Sequence, residues 1–139
     1  MSELLDWLYL IGRILFSMIF LMSGLGHFMK VDDMTGYAAS RGVPAPKASV
    51  ILSGTVLLAG GLSVLLGVWM EIGVWLLFFF LVLAGLLVHT FWKMEDPMQA
   101  QSEQAQFMKN LALAGACLVF YWMIQAQGYG PFTLGSPMG

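Results

Sequence analysis

The sequence predicts an all-α membrane protein, a four-transmembrane-helix up-down bundle with a short interfacial helix between helices 1 and 2. Three observations carry this. The chain is 59% hydrophobic and only 10% charged over 139 residues, with a mean hydropathy of +0.80. A soluble domain of this size leaves too much of its surface wet to hide so much apolar area. Four segments, 4–28, 47–69, 72–92 and 107–125, reach the roughly 20 mostly apolar residues that a crossing helix needs. The connections between them are short, and lipid offers no partner to an unpaired backbone group. Each segment must therefore be helical, and four spans cannot close a barrel.

The same composition bounds what the protein can do. The chain has room for a single domain, 1–139. A formal net charge of -2 leaves no basic footprint, so no nucleic acid is expected as partner. The single cysteine, Cys117, excludes an internal disulfide and a thiolate zinc site.

The first segment reads as a retained span rather than a leader. Glu3 and Asp6 stand where a leader carries positive charge, and no A-x-A site follows. Arg13, Ser17, Gly24 and His27 are spaced so that all lie within about 40° of one meridian. An arginine facing lipid costs roughly 3 kcal/mol or more, so this stripe should face the other helices. Arg13 either snorkels to the nearby interface or acts as a buried helix-packing charge.

Residues 31–46 form a connection with some structure of its own. Asp32 or Asp33 can cap a short helix whose face of Met34, Tyr37 and Ala38 is expected to meet lipid, and Gly42 ends it. Pro44 and Pro46 lead into the second span, where Ser53, Gly60, Ser63 and Gly67 form a small-residue side suited to close packing. The 67–73 turn carries Glu71, expected to be solvated. The third span ends at His89. Asp96 and Pro97 then signal a helix start with Gln99 as capping-box partner, making 99–106 an extension of the fourth helix. Asn110, Ala114, Cys117 and Tyr121 define its inward face, and the Gly/Pro-rich tail 127–139 is expected to be irregular.

Four spans place the 30–46 and 93–106 connections on one side of the membrane and both termini on the other. Lys30, Arg41, Lys47, Lys93 and Lys109 belong to the first side, so the positive-inside rule puts the long loops in the cytoplasm and the termini outside. Trp7, Tyr9, Trp69, Trp75, Tyr121 and Trp122 form an aromatic belt at the opposite interface.

The same topology brings His27, His89, Lys109 and Asn110 to one depth from three helices, as a candidate polar pocket. Polar residues also gather at helix ends for no functional reason, so three chemistries and one bland reading compete. Two histidines can ligate haem iron, but the expected buried pairs are missing. A quinone needs an apolar cleft with a few hydrogen-bond donors, and histidine, lysine and asparagine can each donate. Metal hydrolysis lacks both an H-E-x-x-H run and an intramembrane carboxylate pair, so no metal is expected. A polar clamp without chemistry is the remaining reading. No catalytic residue is identified.

Several features in order resemble the DoxX family of small membrane proteins. They are Arg13, then Ser23-Gly24 followed by His27, and Tyr37 ahead of Gly42-Val43-Pro44. Next come Gly60-Gly61-Leu62 through Gly67, and His89. Phe107-Met108-Lys109-Asn110-Leu111 with Gly115, and finally Gly128-Tyr129-Gly130-Pro131, complete the series. The resemblance implies a four-helix protein of the bacterial inner membrane, related to the DoxD-type subunit of thiosulfate:quinone oxidoreductase. The resemblance also implies a partner, since some members of the family associate with other redox or detoxifying proteins at the membrane. One departure stands out: many relatives carry a glutamate three residues before the Gly-Gly pair, where this chain has Leu57. The expected function is thus a membrane subunit or partner of a quinone-linked oxidoreductase, with lipid, a membrane protein and a quinone as partners. The alternative is a non-catalytic assembly subunit of a larger membrane complex.

Overall fold

The computed structural model describes residues 2–135. Among them are five α-helices: α1 (Glu3–Met29), α2 (Val31–Ser40), α3 (Pro46–Leu66), α4 (Met70–Leu87) and α5 (Pro97–Gln127). Four of these, α1, α3, α4 and α5, are long and apolar enough to cross a membrane, the α4 crossing running on to Lys93. The expected spans are all present, with changed edges.

Local chemistry sets those edges. Ser2 caps α1 by accepting from the Leu5 amide, and Glu3 and Asp6 complement the helix dipole in the first turn. At α2 the cap is Lys30, with no side-chain bond, so neither Asp32 nor Asp33 is the cap; both lie in the first turn, where their charge suits the dipole. Gly42, with φ of 75°, then turns the chain, its amide and that of Val43 closing on the carbonyls of Ala39 and Ala38. Pro46 opens α3 at a position that needs no N–H. The α4 helix stops at Leu87, where the amides of Val88 and His89 share the Ala84 carbonyl. His89 therefore lies beyond the helix end, ahead of a 3-10 turn at Phe91–Lys93. The Asp96 carboxylate accepts from the Gln99 amide at 3.2 Å and starts α5 ten residues before the apolar stretch, so 99–106 is helical.

The helices pack in the order α1–α3–α4–α5, with α2 lying across α3. The small residues of α3 serve two faces. A Cβ on Gly54 would come within 2.8 Å of His27 Cβ on α1, and one on Gly60 within 2.6 Å of Leu77 Cγ on α4. Such contacts substitute for a hydrophobic drive between helices in lipid. Among the described residues no Cα of α1 comes within 8 Å of α5. The gap is bridged by large side chains, Phe16 and Phe120 having ring centroids 4.9 Å apart.

The shared core is built from Phe20, Leu57, Val64, Leu77, Leu81, Cys117 and their neighbours. Leu57, the position of the family departure, sits in this core and not on a polar surface. The α1 stripe of Arg13, Ser17, Gly24 and His27 is buried, as its spacing requires. Ser17 is fully enclosed, and its hydroxyl has no hydrogen-bond partner among the described residues. Large apolar side chains such as Leu15, Met22, Leu86 and Val119 are exposed on the outer faces, as lipid contact demands.

After α5 the chain has no regular structure but is tied down. The amides of Leu134 and Gly135 bond to the carbonyls of Leu66 and Gly67 at 3.1 and 2.9 Å. The Tyr129 hydroxyl donates to the Glu71 carboxylate and accepts from the Met70 amide at 3.0 Å. Glu71 is thus engaged by the tail instead of freely solvated. Residues 136–139 of the predicted irregular tail lie outside the described residues.

Candidate functional site

At the loop end of the bundle a cavity of about 560 Å³ opens between the helices. Its walls are mostly apolar, from Leu52 and Val56 on α3 and Leu76, Phe80 and Leu83 on α4. Its polar part includes His27, His89, Lys109 and Asn110, from α1, α5 and the segment after α4, with Tyr37 on α2 and Ser49 and Ser53 on α3. The four residues that topology places at one depth therefore line one space. Helix packing brings them there: Gly54 lets α3 close against His27, and Gly85 leaves room beside Asn110.

Each side chain is held differently. The His27 ring bonds through Nδ1 to the Ser23 carbonyl at 2.7 Å and meets Phe80 edge-on. Asn110, 4% exposed, donates from Nδ2 to the Leu81 carbonyl at 3.3 Å. Lys109 is exposed and donates to Gln106 Oε1 at 2.7 Å. The His89 ring bonds through Nδ1 to Glu103 Oε2 at 2.8 Å.

Glu103 is the residue that sequence reasoning missed. It is 8% exposed, although it lies in the polar run 99–106. Its Oε1 accepts from the Tyr37 hydroxyl at 2.5 Å and from Arg41 at 3.4 Å. Arg41 also donates from Nε to the Val88 carbonyl at 3.2 Å, satisfying a group left free near the end of α4. The available signal was a spacing of seven: Glu103, Asn110, Cys117 and Ile124 are all buried along one face of α5.

This network also redirects α2. Met34, Tyr37 and Ala38 line the cavity, so the face expected to meet lipid is turned inward and roofs the site. The reason is polar: Tyr37 and Arg41 find a carboxylate on α5, which lipid cannot offer. Burial first, and then the bond to Glu103, pushes the Tyr37 phenol above its ordinary value.

Arg13 lies at the other end of the molecule. It is 1% exposed and bonds only to carbonyls: Val64 at 3.0 Å, Leu65 at 2.8 Å, Pro131 at 2.9 Å and Phe132 at 2.7 Å. Its guanidinium also lies 5.1 Å from the Tyr9 ring centroid. It caps the C-terminus of α3, where a cation suits the dipole, and clamps the tail against it. It does not contribute to the cavity.

Comparison with known proteins gives one match. A family model described as DoxX matches residues 8–90, from α1 to just past His89, leaving α5 with Glu103, Lys109 and Asn110 beyond the matched span. No curated protein and no solved structure matches the chain.

Proposed function

The chain belongs to the DoxX family, and on that footing we propose that it is the membrane partner of a quinone-linked oxidoreductase, holding a lipophilic quinone-type ligand in the loop-end cavity. The observation that carries this is the cavity itself. It combines apolar walls with a small group of polar atoms from several elements, the usual make-up of a site for a lipophilic ring. His27, His89, Lys109 and Asn110 set the polar end, while the exposed apolar faces keep the protein in the bilayer. Electrons are supplied or taken by a partner protein, since no cofactor motif is recognisable in the sequence. The bias of Lys30, Arg41, Lys47 and Lys93 toward one end supports a cytoplasmic position for the long loops, with the termini outside, in a bacterial inner membrane.

Quinone titration of the detergent-purified protein, followed by tryptophan quenching, tests this reading. Saturable binding that changes in His89→Ala is expected. Absence of saturable binding, or binding indifferent to His89→Ala, sinks it.

A second reading, a non-catalytic assembly subunit, draws on Gly12, Gly26 and Gly115. Each has open space where a side chain would begin, leaving grooves for foreign helices. Purification in mild detergent discriminates, because a lone monomer with no stoichiometric companion argues against it.

A further inference from the structure

The cavity's hydrogen-bonding polarity can be read atom by atom. A carbonyl oxygen can only accept, so His27 carries its proton on Nδ1 toward the Ser23 carbonyl. The Glu103 carboxylate likewise accepts from His89 Nδ1 while accepting from Tyr37 and Arg41 at its other oxygen. In the neutral imidazole each histidine then has Nε2 left as an acceptor. Asn110 spends one amide N–H on the Leu81 carbonyl and keeps its second N–H as a donor and Oδ1 as an acceptor. Ser49 and Ser53 give their only hydrogens to the carbonyls of Pro44 and Val50 at 2.6 and 3.1 Å. Their oxygens too can only accept. Lys109 is the cation among these lining groups.

Resting on the quinone-type ligand proposed above, the geometry points to the hydroxyl-bearing form, a quinol, as the species this cavity is built to bind. A quinone offers two carbonyl oxygens and no donor. It can accept from Lys109 and Asn110, but it leaves the acceptors His27 Nε2, His89 Nε2 and Asn110 Oδ1 unmatched. A quinol offers two hydroxyl donors, and its oxygens can still accept from Lys109. The lysine charge, in turn, disfavours a cationic donor such as an alkylamine. Donors thus remain on Lys109 and Asn110, but the histidine rings present acceptors, and only a hydroxyl-bearing ligand meets both kinds of group.

Anaerobic calorimetric titration of the full chain in detergent separates these cases. The probes are a decyl-tailed benzoquinol, the matching benzoquinone and dodecylamine. The quinol should bind about tenfold more tightly than the quinone, one neutral hydrogen bond being worth roughly a factor of 2–13.

Glu103→Gln supplies a sharper readout. Tyr37 and Arg41 are both donors, so the new amide keeps its oxygen toward them and turns its NH2 to His89. His89 Nδ1 then becomes the acceptor and Nε2 carries the proton. The quinol-over-quinone ratio should fall by about fivefold, with quinone affinity rising. His27→Phe, which removes an acceptor and leaves the Glu103 network untouched, should lower quinol affinity and raise quinone affinity. Equal affinities for the two forms, a preference for quinone, or tighter binding of dodecylamine overturns the assignment and leaves the binding site standing. Failure of both quinol and quinone to bind removes the function proposed above as well.

Discussion

Glu103 on α5 accepts from His89 Nδ1 at 2.8 Å, and through its other oxygen it holds Tyr37 and Arg41 of α2. One carboxylate thereby fastens the roof of the cavity to its far wall. Glu103→Ala leaves three donors without their acceptor in a largely enclosed place. A loss of about 3 kcal/mol is expected, in the range for breaking a buried pair. Thermal unfolding in detergent checks the magnitude, and hydrogen exchange should show the α2 amides losing protection before those of α3.

Tyr37 gives this latch a pH signature. Burial, followed by the bond to Glu103, raises the phenol above its ordinary value near 10. The folded state therefore holds this proton more tightly than the unfolded chain does. The contribution is complete below pH 10 and is lost as pH rises from there through the raised value. The difference in phenolate absorbance between wild type and Tyr37→Phe should show a midpoint above 10. Glu103→Gln, which removes the negative charge, should move that midpoint down.

Arg13 is expected to be the least replaceable charge in the chain. Its planar fork meets four carbonyls on α3 and the tail. Lysine cannot reproduce that geometry from a single nitrogen. Arg13→Lys should cost about 2 kcal/mol and Arg13→Ala about 4 kcal/mol, as the carbonyls lose their charged donors. Limited proteolysis should then cut the segment after Gln127 faster than in the wild type, where Arg13 holds the carbonyls of Pro131 and Phe132.

Ser17 predicts a gain. Its hydroxyl is enclosed and without a partner among the described residues, a situation that costs about 1–3 kcal/mol. Ser17→Ala removes the orphaned group with little change in volume. An increase in stability of about 1 kcal/mol is expected in thermal unfolding, and a decrease would refute the account.

Leu57 bears on the departure from the family pattern. Val64, whose carbonyl meets Arg13 Nε, lies seven residues further along α3, about 10 Å at 1.5 Å per residue. Arg13 is already satisfied by carbonyls and needs no carboxylate here. Leu57→Glu therefore buries an acid among apolar neighbours. A loss of about 3 kcal/mol or more, lessened at acidic pH where the acid is neutral, is the expected outcome in pH-dependent unfolding.

How much was legible beforehand differs by level. The four crossing helices, the inward stripe from Arg13 to His27 and the shared depth of His27, His89, Lys109 and Asn110 follow from apolar length, helical periodicity and the alternation of spans. These are one-dimensional properties, and bilayer thickness converts them directly into positions. The direction of α2 was not legible. Its Met34, Tyr37 and Ala38 face suits lipid or protein equally, and only the carboxylate of Glu103, 66 residues from Tyr37, decides between them. Glu103 lies on the helical extension 99–106 that the sequence predicts, but only the folded positions of Tyr37, Arg41 and His89 around it turn its carboxylate inward.

The sequence by itself determined that this is a four-span membrane bundle with His27, His89, Lys109 and Asn110 at one loop end, because lipid forces every apolar stretch of that length into a helix. Tertiary structure alone decided what those side chains can do. Residue identity states how many hydrogens a histidine or asparagine owns. Only the folded neighbours, the carbonyls of Ser23 and Leu81 and the Glu103 carboxylate, determine which of them are already spent.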